Sequence, residues 1–234
     1  MALLGAIVNG LCIIGGTLIG RFLSRIPDRI KETVMMGIGL SVTILGIQMG
    51  LKSEQFLIVI FSLVIGAVIG EWLDIDKALN KVGNWLEEKV GTSEGGGVAK
   101  GFVTATLIFV IGAMAIIGAL DSGIRGNHSV LYTKSIIDGF TSLILATTLG
   151  IGVLFSFIPV VLYEGSIALF ATQIEKWIPA QLMDSFILEM TATGGLMIVA
   201  IGLNLLGITA IRVANLLPAI LVVAILTALL YRFL

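Results

Sequence analysis

The sequence predicts an all-α protein of the polytopic helical membrane class, with seven or eight transmembrane helices. Three observations support this class. The 234 residues are 57% hydrophobic and only 12% charged, whereas an average soluble domain has about 25% charged residues. Apolar runs long enough to cross about 30 Å of hydrocarbon recur along the whole chain. The 29 glycines suit membrane helices, which approach one another closely at small residues.

The composition also argues against several classes of function. A net charge of −1 and the lack of a basic stripe give no support for a nucleic-acid partner. Cys12 is the single cysteine and lies in an apolar run, so we expect a packed thiol. His128 is the single histidine, so we expect no zinc site, no other metal and no cofactor. Without H-E-x-x-H, G-x-G-D or a nucleophile elbow, we do not expect an enzyme.

Eight apolar segments are predicted to cross the membrane, and each needs about 20 residues to do so. In chain order they are Ala2–Phe22, Thr33–Leu51, Gln55–Leu73, Val98–Leu120, Ser135–Phe157, Val160–Trp177, Ile187–Ile211 and Val213–Leu234. The first lacks a basic n-region and an A-x-A site, so we interpret it as a retained helix and not a signal peptide. The fifth and sixth meet without a charged turn. This leaves a tight surface hairpin and a re-entrant hairpin as alternatives.

The distribution of lysine and arginine predicts the orientation. With the N-terminus outside, nine of the 14 basic residues fall in cytoplasmic loops and five fall outside. This balance favours a multi-pass membrane protein with both termini outside. The lipid bilayer is then its first partner.

Residues 74–97 form the one sizeable segment predicted outside the membrane. Its apolar residues recur at helical spacing, opposite its charged residues, which is typical of an amphipathic helix on the cytoplasmic interface. They are Ile75, Leu79, Val82, Trp85, Leu86 and Val90. A Gly-rich linker follows the helix. We interpret the segment as a connector between two halves of the chain, with docking of a regulatory partner as the alternative.

Two similar stretches, GLSVTILGIQMGL at residues 39–51 and GLMIVAIGLNLLG at residues 195–207, predict an internal repeat. The aligned pairs are Gly39 with Gly195, Gly46 with Gly202, Gln48 with Asn204 and, further upstream, Asn9 with Glu164. The second copy starts five spans after the first, and this odd number would invert spans six to eight relative to spans one to three, as in many secondary transporters. The predicted organisation is a first repeat at 1–73, the amphipathic segment at 74–97, central spans at 98–158 and a second repeat at 159–234.

Glu164 interrupts the apolar stretch IPVVLYEGSIALFA. A carboxylate at the bilayer centre costs about 3 kcal/mol on insertion scales, so we expect Glu164 to face polar groups inside the protein. Ser166 lies beside it in the sequence, and the repeat supplies Asn9, Gln48 and Asn204 as neighbours. We predict that Asn9, Gln48, Glu164 and Asn204 line one polar cavity between the repeats that binds a small ion or polar substrate, with Ser166 as a further candidate for the site. Interhelical hydrogen bonding without transport is the alternative.

Four further positions are candidates for the same site. Asp138 stands four residues after Lys134, a spacing typical of an ordinary helix ion pair, and it lies near the start of an apolar span. Glu189 begins the seventh span, and Gly194 and Gly195 follow within it. A Gly-Gly pair can unwind a membrane helix and expose carbonyl oxygens to an ion. Simple helix packing is the alternative interpretation of the pair.

Three segments carry a resemblance to a known family: LYTKSIIDGFTSLILATTLGIGVLFSFIPVVLYEGSI, EMTATGGLMIVAIGLNLLGI and IRVANLLPA. They resemble the uncharacterised bacterial membrane proteins catalogued as domain-of-unknown-function family 554, over nearly the whole chain. The resemblance implies a bacterial inner membrane and carries over no biochemical activity. The family pattern has glutamine in its Y-x-G motif where this chain has Glu164. A hydrogen-bonding role therefore suits both side chains, whereas only the glutamate can titrate.

From these features the sequence predicts a secondary transporter or channel for a small ion or polar metabolite. A membrane scaffold or signalling protein without transport activity is the alternative, and the amphipathic segment is the feature that favours it. We also expect a homodimer that associates through a glycine face, either Gly16–Gly20 or Gly66–Gly70.

Overall fold

The computed structural model describes residues 2–22, 27–90 and 97–233. In these ranges the chain forms helices and turns and contains no strand, so the all-α prediction is confirmed. The α-helices are α1 (Leu4–Phe22), α2 (Asp28–Gly50), α3 (Phe56–Leu73), α4 (Ile75–Val90), α5 (Gly97–Val110), α6 (Ala113–Ile124), α7 (Ser129–Leu149), α8 (Phe157–Trp177), α9 (Ala180–Leu205) and α10 (Ala219–Phe233). Two short 3-10 helices, Gly150–Ser156 and Val213–Leu216, precede α8 and α10.

The number of membrane spans follows from helix length and hydropathy. Within the described residues, six helical segments are long and apolar enough to cross a membrane. A seventh span results if α5 and α6 are counted together, since they pass the same test as a pair bent by 63°. The fourth span that the sequence predicted is therefore a broken helix.

Helices α7 and α8 belong to one apolar segment of 48 residues, Ser129–Lys176. A straight helix of that length would measure about 72 Å, more than twice the thickness of the hydrocarbon core. Asp138 and Glu164 would then lie about 39 Å apart. Instead, both hydrogen-bond to Asn9 of α1. The segment therefore folds back on itself, and counting its two arms separately gives the eight spans of the sequence prediction.

The turn of this hairpin lies earlier than the sequence suggested. The predicted fifth and sixth spans placed it at residues 158–159, but α8 already begins at Phe157. Pro159 lies in the first turn of α8, where proline is tolerated because that N–H has no intrahelical acceptor. The chain turns at the 3-10 helix, where Gly150 has a φ of 74°, a left-handed value that favours glycine. The backbone of Gly152 packs against Val98 of α5. Protein thus covers this irregular stretch, as backbone at membrane depth requires.

The described residues form two compact units. Unit 1 draws on residues 1–35, 79–110 and 114–174, and unit 2 on residues 36–78, 111–113 and 175–234. These units describe packing, whereas the segments predicted at 1–73, 74–97, 98–158 and 159–234 describe repeats. The repeat organisation therefore stays a prediction.

In unit 1, α1 packs in parallel against α7 through glycine. The backbone at Gly16 lies against the carbonyl of Gly139, and that at Gly20 lies against the carbonyl of Leu143. At both positions a Cβ would overlap these backbone atoms. The close approach brings polar groups of α1 within hydrogen-bond reach of α7.

In unit 2, α2 packs antiparallel to α9, again through glycines. A Cβ at Gly39 would lie 3.2 Å from the carbonyl oxygen of Gly202, and a Cβ at Gly46 would lie 2.6 Å from that of Gly195. Unlike the broken helix that we expected, α9 is continuous through Gly194 and Gly195. The unwinding prediction is therefore wrong, because these glycines serve helix packing.

Both glycine faces proposed for a dimer contact are covered within the chain. The Gly16–Gly20 face lies against α7, as described above. In the Gly66–Gly70 face, a Cβ at Gly66 would lie 2.5 Å from the nitrogen of Ala219, and Gly70 lies against the carbonyl of Asn215. Neither face is open to a second copy, so their assignment to a dimer is wrong, and the homodimer itself stays a prediction.

Helix α4 occupies the amphipathic segment. Leu86 is buried with Val98 and Phe102 of α5, whereas Trp85 is 55% exposed. One part of the apolar face therefore packs within unit 1, and another part stays open. The Gly-rich linker that we expected next falls on residues 91–96, outside the described ranges.

Gly16→Ala should destabilise the protein, whereas Gly15→Ala should not. A Cβ at Gly16 would meet the Gly139 backbone, and overpacking of this kind costs about 1–3 kcal/mol. No described atom lies within 4 Å of a Cβ at Gly15, so alanine there should be neutral or stabilise the helix by up to about 1 kcal/mol. Thermal unfolding of both variants in detergent measures the difference. Equal melting temperatures would contradict the close α1–α7 packing.

Candidate functional site

Asn9 on α1 joins two carboxylates that come from different helices of unit 1. Its Nδ2 donates to Asp138 Oδ2 on α7 at 3.0 Å and to Glu164 Oε1 on α8 at 2.8 Å. Asn9 and Glu164 have no exposed surface, and Asp138 is 6% exposed. The structure thus brings together Asn9 and Glu164, which the sequence alignment had paired, and it adds Asp138 to them.

Lys134 supplies the positive charge at this site. Its Nζ forms a hydrogen bond and an ion pair with Asp138 Oδ2, and it lies 3.4 Å from Glu164 Oε1. The Lys134 side chain is 7% exposed, so this is a buried ammonium and not a snorkelling one. We call Asn9, Lys134, Asp138 and Glu164 the buried polar cluster.

The local sequence explains how α7 presents its two charges. Lys134 and Asp138 are four residues apart, so they lie on one helix face. Gly139, which contacts α1, is the next residue after Asp138. The hydroxyls of Ser135 and Ser142 on α7 donate to backbone carbonyls of their own helix, at 2.6 and 2.7 Å. The two serines therefore do not use the carboxylate oxygens as acceptors.

Buried charges are stable only when they are paired and hydrogen-bonded. In the cluster, one ammonium faces two carboxylates, and one amide bridges them. Such a group of ionisable residues inside a helical membrane protein is costly, and it generally faces a bundle interior or an ion or substrate pathway. The cluster is therefore the strongest candidate for a functional site in the described part of the chain.

Three other predicted site residues have hydrogen bonds or exposure of a different kind. Ser166 is exposed and donates to the carbonyl of Tyr163 at 2.8 Å. Gln48 and Asn204 belong to unit 2, where Gln48 is exposed. The Asn204 amide closes the turn after α9, through bonds of 2.7 and 2.9 Å with the backbone of Ile211. The place of Gln48 and Asn204 in one cavity with Glu164 stays a prediction.

Glu189 of unit 2 is buried for a different reason. Its Oε1 accepts the backbone N–H groups of Glu54 and Gln55 at 3.0 and 2.9 Å, and its Oε2 accepts the Ser53 hydroxyl at 2.5 Å. These groups lead into α3, so the carboxylate from α9 caps the N-terminus of α3 and meets the positive end of its dipole. A cavity of about 130 Å³ adjoins this contact, with Thr227 in its lining.

Sequence reasoning missed the role of Lys134. We interpreted it as half of an ordinary helix ion pair and counted it among the basic residues outside the membrane. The pair exists, but it is buried and extends to Glu164. The available signal was a lysine only five residues into a helix that is apolar after it, on the same face as Asp138.

Within the described residues, no group of three or more His, Cys, Asp and Glu side chains could hold a metal ion.

Comparison with known proteins supports the membrane assignment. The chain matches the family described as "Protein of unknown function (DUF554)" over residues 4–228. It is 32% identical over 223 residues to the uncharacterized membrane protein YdfK of Bacillus subtilis (strain 168). It is 30% identical over 223 residues to the uncharacterized protein YqgA of Escherichia coli (strain K12). Each alignment covers 93% of both chains. No solved structure is significantly similar.

Lys134→Met should destabilise the protein by about 3–5 kcal/mol, because it leaves the buried Asp138 carboxylate without its cation. The double variant Lys134→Met/Asp138→Asn should recover part of this loss, since it removes the orphaned charge. Thermal or denaturant unfolding in detergent measures both.

An exposed ion pair provides a matched control for Lys134→Met. Arg125 and Asp121 form an ion pair of the same spacing, but the Arg125 side chain is 72% exposed. Arg125→Met should therefore cost at most about 1 kcal/mol. If Lys134→Met and Arg125→Met had equal effects, Lys134 would not be a buried counter-charge.

Proposed function

The chain belongs to the DUF554 family of proteins of unknown function, and from this premise we propose that it is a secondary transporter or channel for a small ion or polar metabolite. Its helices and its relative named as a membrane protein already identify it as a helical membrane protein. The proposal adds that its buried polar cluster belongs to a transport pathway.

The buried cluster is the observation that carries the proposal. Lys134, Asp138 and Glu164 lie on membrane-spanning helices and are each at most 6% exposed. A protein that only plugs or anchors has no need for three ionisable groups there, because apolar side chains of similar volume would fit as well and often stabilise more. Ionisable groups at such positions generally mark substrate, ion or proton pathways.

Reciprocal contacts support the inverted repeat on which a transporter of this type depends. Sequence alignment pairs Gly39 with Gly195 and Gly46 with Gly202. In unit 2, Gly39 packs against Gly202 and Gly46 packs against Gly195. An exchange of this kind, in which each residue meets the counterpart of the other, is what a two-fold axis between two copies produces.

Unit 1 offers an independent indication of the same symmetry. Asn9 and Glu164 are aligned with each other, and they also contact each other, as counterparts beside a two-fold axis do. Gly10 lies against Val161, whereas Gly165 lies against Leu3, so α1 and α8 are antiparallel. Transporters built from inverted repeats bind substrates and coupling ions where the copies meet. The position of the cluster between α1 and α8 fits this rule.

The proposal also covers the membrane location, the orientation and the oligomeric state of the protein. The relatives from Bacillus subtilis and Escherichia coli favour a bacterial plasma membrane, and the positive-inside balance favours an N-terminus on the outside. A homodimer is part of the same expectation, through a surface other than the two glycine faces.

A membrane scaffold or signalling protein is the second candidate, and α4 is the observation that favours it. Val82 and Trp85 on this helix are 46% and 55% exposed, so they are available to a partner or to the membrane surface. The double variant Val82→Ser/Trp85→Ser should abolish the function of the protein in cells if α4 recruits a partner. It should leave transport unchanged if α4 is only a connector. Purified protein that moves no solute across liposomes would decide for the scaffold.

Substitutions of Glu164 test the transport proposal. Glu164→Gln should fold and keep partial flux, because glutamine preserves the shape and one acceptor oxygen. Glu164→Leu should abolish flux with a smaller effect on folding, since it removes a buried charge while Lys134 keeps Asp138 as its partner. The measurements are flux into proteoliposomes, in a screen of ions and small metabolites, and thermal stability.

Glu175→Gln is the matched control, since Glu175 is an exposed glutamate on the same helix. It should retain the flux of the unmodified protein. Full flux from Glu164→Leu, or equal losses at Glu164 and Glu175, would rule out a transport role for the cluster.

A further inference from the structure

Two oxygen atoms of the buried polar cluster accept no hydrogen bond. They are Asn9 Oδ1 and Glu164 Oε2, and both are buried without a partner among the described residues. The other polar atoms of the same amide and carboxyl groups form a hydrogen bond, since Asn9 Nδ2 donates to Glu164 Oε1. A buried acceptor without a donor is unfavourable, because it has lost its hydrogen bonds to water and gained none. The cluster therefore lacks a hydrogen-bond donor next to Glu164.

The charges of the cluster indicate the same deficit. Lys134 contributes one positive charge, and Asp138 and Glu164 can contribute one negative charge each, so a fully ionised cluster has one negative charge in excess. Glu164 has no exposed surface, and water cannot solvate that charge. What the cluster lacks is therefore one positive charge that is also a hydrogen-bond donor.

We propose that Glu164 Oε2 binds one exchangeable proton and that the buried polar cluster is a proton site. The bound proton makes the cluster neutral, with Glu164 as a carboxylic acid and Lys134 paired with Asp138. It also makes Oε2 a hydrogen-bond donor, and Asn9 Oδ1 is an acceptor that has no donor among the described residues. That this proton couples transport rests on the proposed function, whereas its binding does not.

A metal cation suits the site less well than a proton. Hard cations in proteins gather six or more oxygen ligands, and the cluster has two carboxylates and one amide. The Lys134 ammonium already lies 3.4 Å from Glu164 Oε1, and it would repel a second cation at that distance. A proton needs one oxygen and no coordination shell.

The exchange involves one bond and one charge. When the O–H bond of Glu164 breaks, the proton leaves to water or to a solute, and the carboxylate keeps the electron pair. Lys134 can then shift its ammonium from Asp138 towards Glu164, since it contacts both. The lysine thereby exchanges places with the proton as the counter-charge of Glu164, and the site has two defined states.

Other groups near Glu164 must be separated from it in any titration. Helix α7 presents Lys134 and Asp138, and Tyr163 precedes Glu164 on α8. Helix α1 presents the Asn9 amide, which does not titrate. Helix α6, which packs on α8, has Asp121, and this carboxylate is paired with Arg125.

Infrared spectroscopy of the purified protein tests the proposal directly, because a protonated carboxyl group has a C=O band that a carboxylate lacks. We expect this band at neutral pH and its loss at alkaline pH. Glu164→Gln should abolish the band. Asp138→Asn should abolish it too, because one ammonium then faces one carboxylate and no proton is needed. If one of the two variants does not fold, the other still tests the proposal.

Glu189→Gln is the matched control, since Glu189 is also a buried carboxylate but its oxygens already accept donors from residues 53–55. The band should be unchanged in that variant. The proposal is overturned if the band is absent from the unmodified protein at neutral pH, if it survives Glu164→Gln, if it survives Asp138→Asn, or if it follows Glu189.

Flux measured on the same preparations separates this proposal from the transport proposal. A band without flux of any solute leaves the proton site in place and contradicts transport. Flux from the unmodified protein without the band leaves transport in place and contradicts the proton site.

Discussion

A single amide on α1 joins two carboxylates on the two arms of one hairpin, and much of unit 1 depends on this contact. Asn9 can reach Asp138 and Glu164 together only if α7 and α8 fold back beside α1. The turn at residues 150–156 must then lie against protein, because irregular backbone facing lipid would leave its polar groups without partners. The packing of α5 over that turn meets this requirement.

Glycine packing makes the contact possible. A membrane interior offers no hydrophobic driving force between helices, so association depends on close packing and on interhelical hydrogen bonds. The contact of Gly16 with Gly139 brings the α1 and α7 backbones together, and Gly139 is the residue directly after Asp138. The position that permits close approach and the position that carries the charge are thus neighbours. Close packing and a buried polar cluster support each other here, since each needs the distance that the other sets.

The sequence predicted the helices well, because long apolar runs have few alternatives in a membrane. It predicted less well where the chain bends. Pro159 is a strong turn signal, yet it lies inside the first turn of α8, and the actual turn uses Gly150, one glycine among many. The glycines of α9 show the same limit. Gly194–Gly195 could unwind a helix or pack it, and only the neighbouring backbone of α2 decides between the two.

The site was half visible from the sequence for a similar physical reason. Glu164 and Asn9 stand out because polar residues in apolar runs need partners. Lys134 did not stand out, since a lysine near a helix end normally reaches water. Whether it does so depends on what surrounds that end, and this is a tertiary property. Glu189 shows the opposite error, because its burial is explained by the α3 N-terminus that it caps.

The composition of the cluster also limits what it can do. If structure alone were selected, apolar side chains would serve as well and would avoid the desolvation of three charged groups. If one strong ion pair were the purpose, Lys134 and Asp138 would suffice, and Glu164 would add an unpaired charge. A second carboxylate within reach of the same ammonium has a role when the ammonium pairs with one carboxylate in one state and with the other carboxylate in a second state. Glutamine has the hydrogen-bonding groups of a protonated glutamate but cannot release a proton. Under the proposed proton site, glutamine at position 164 would keep the neutral geometry of the site, whereas glutamate gives it a second, charged state as well.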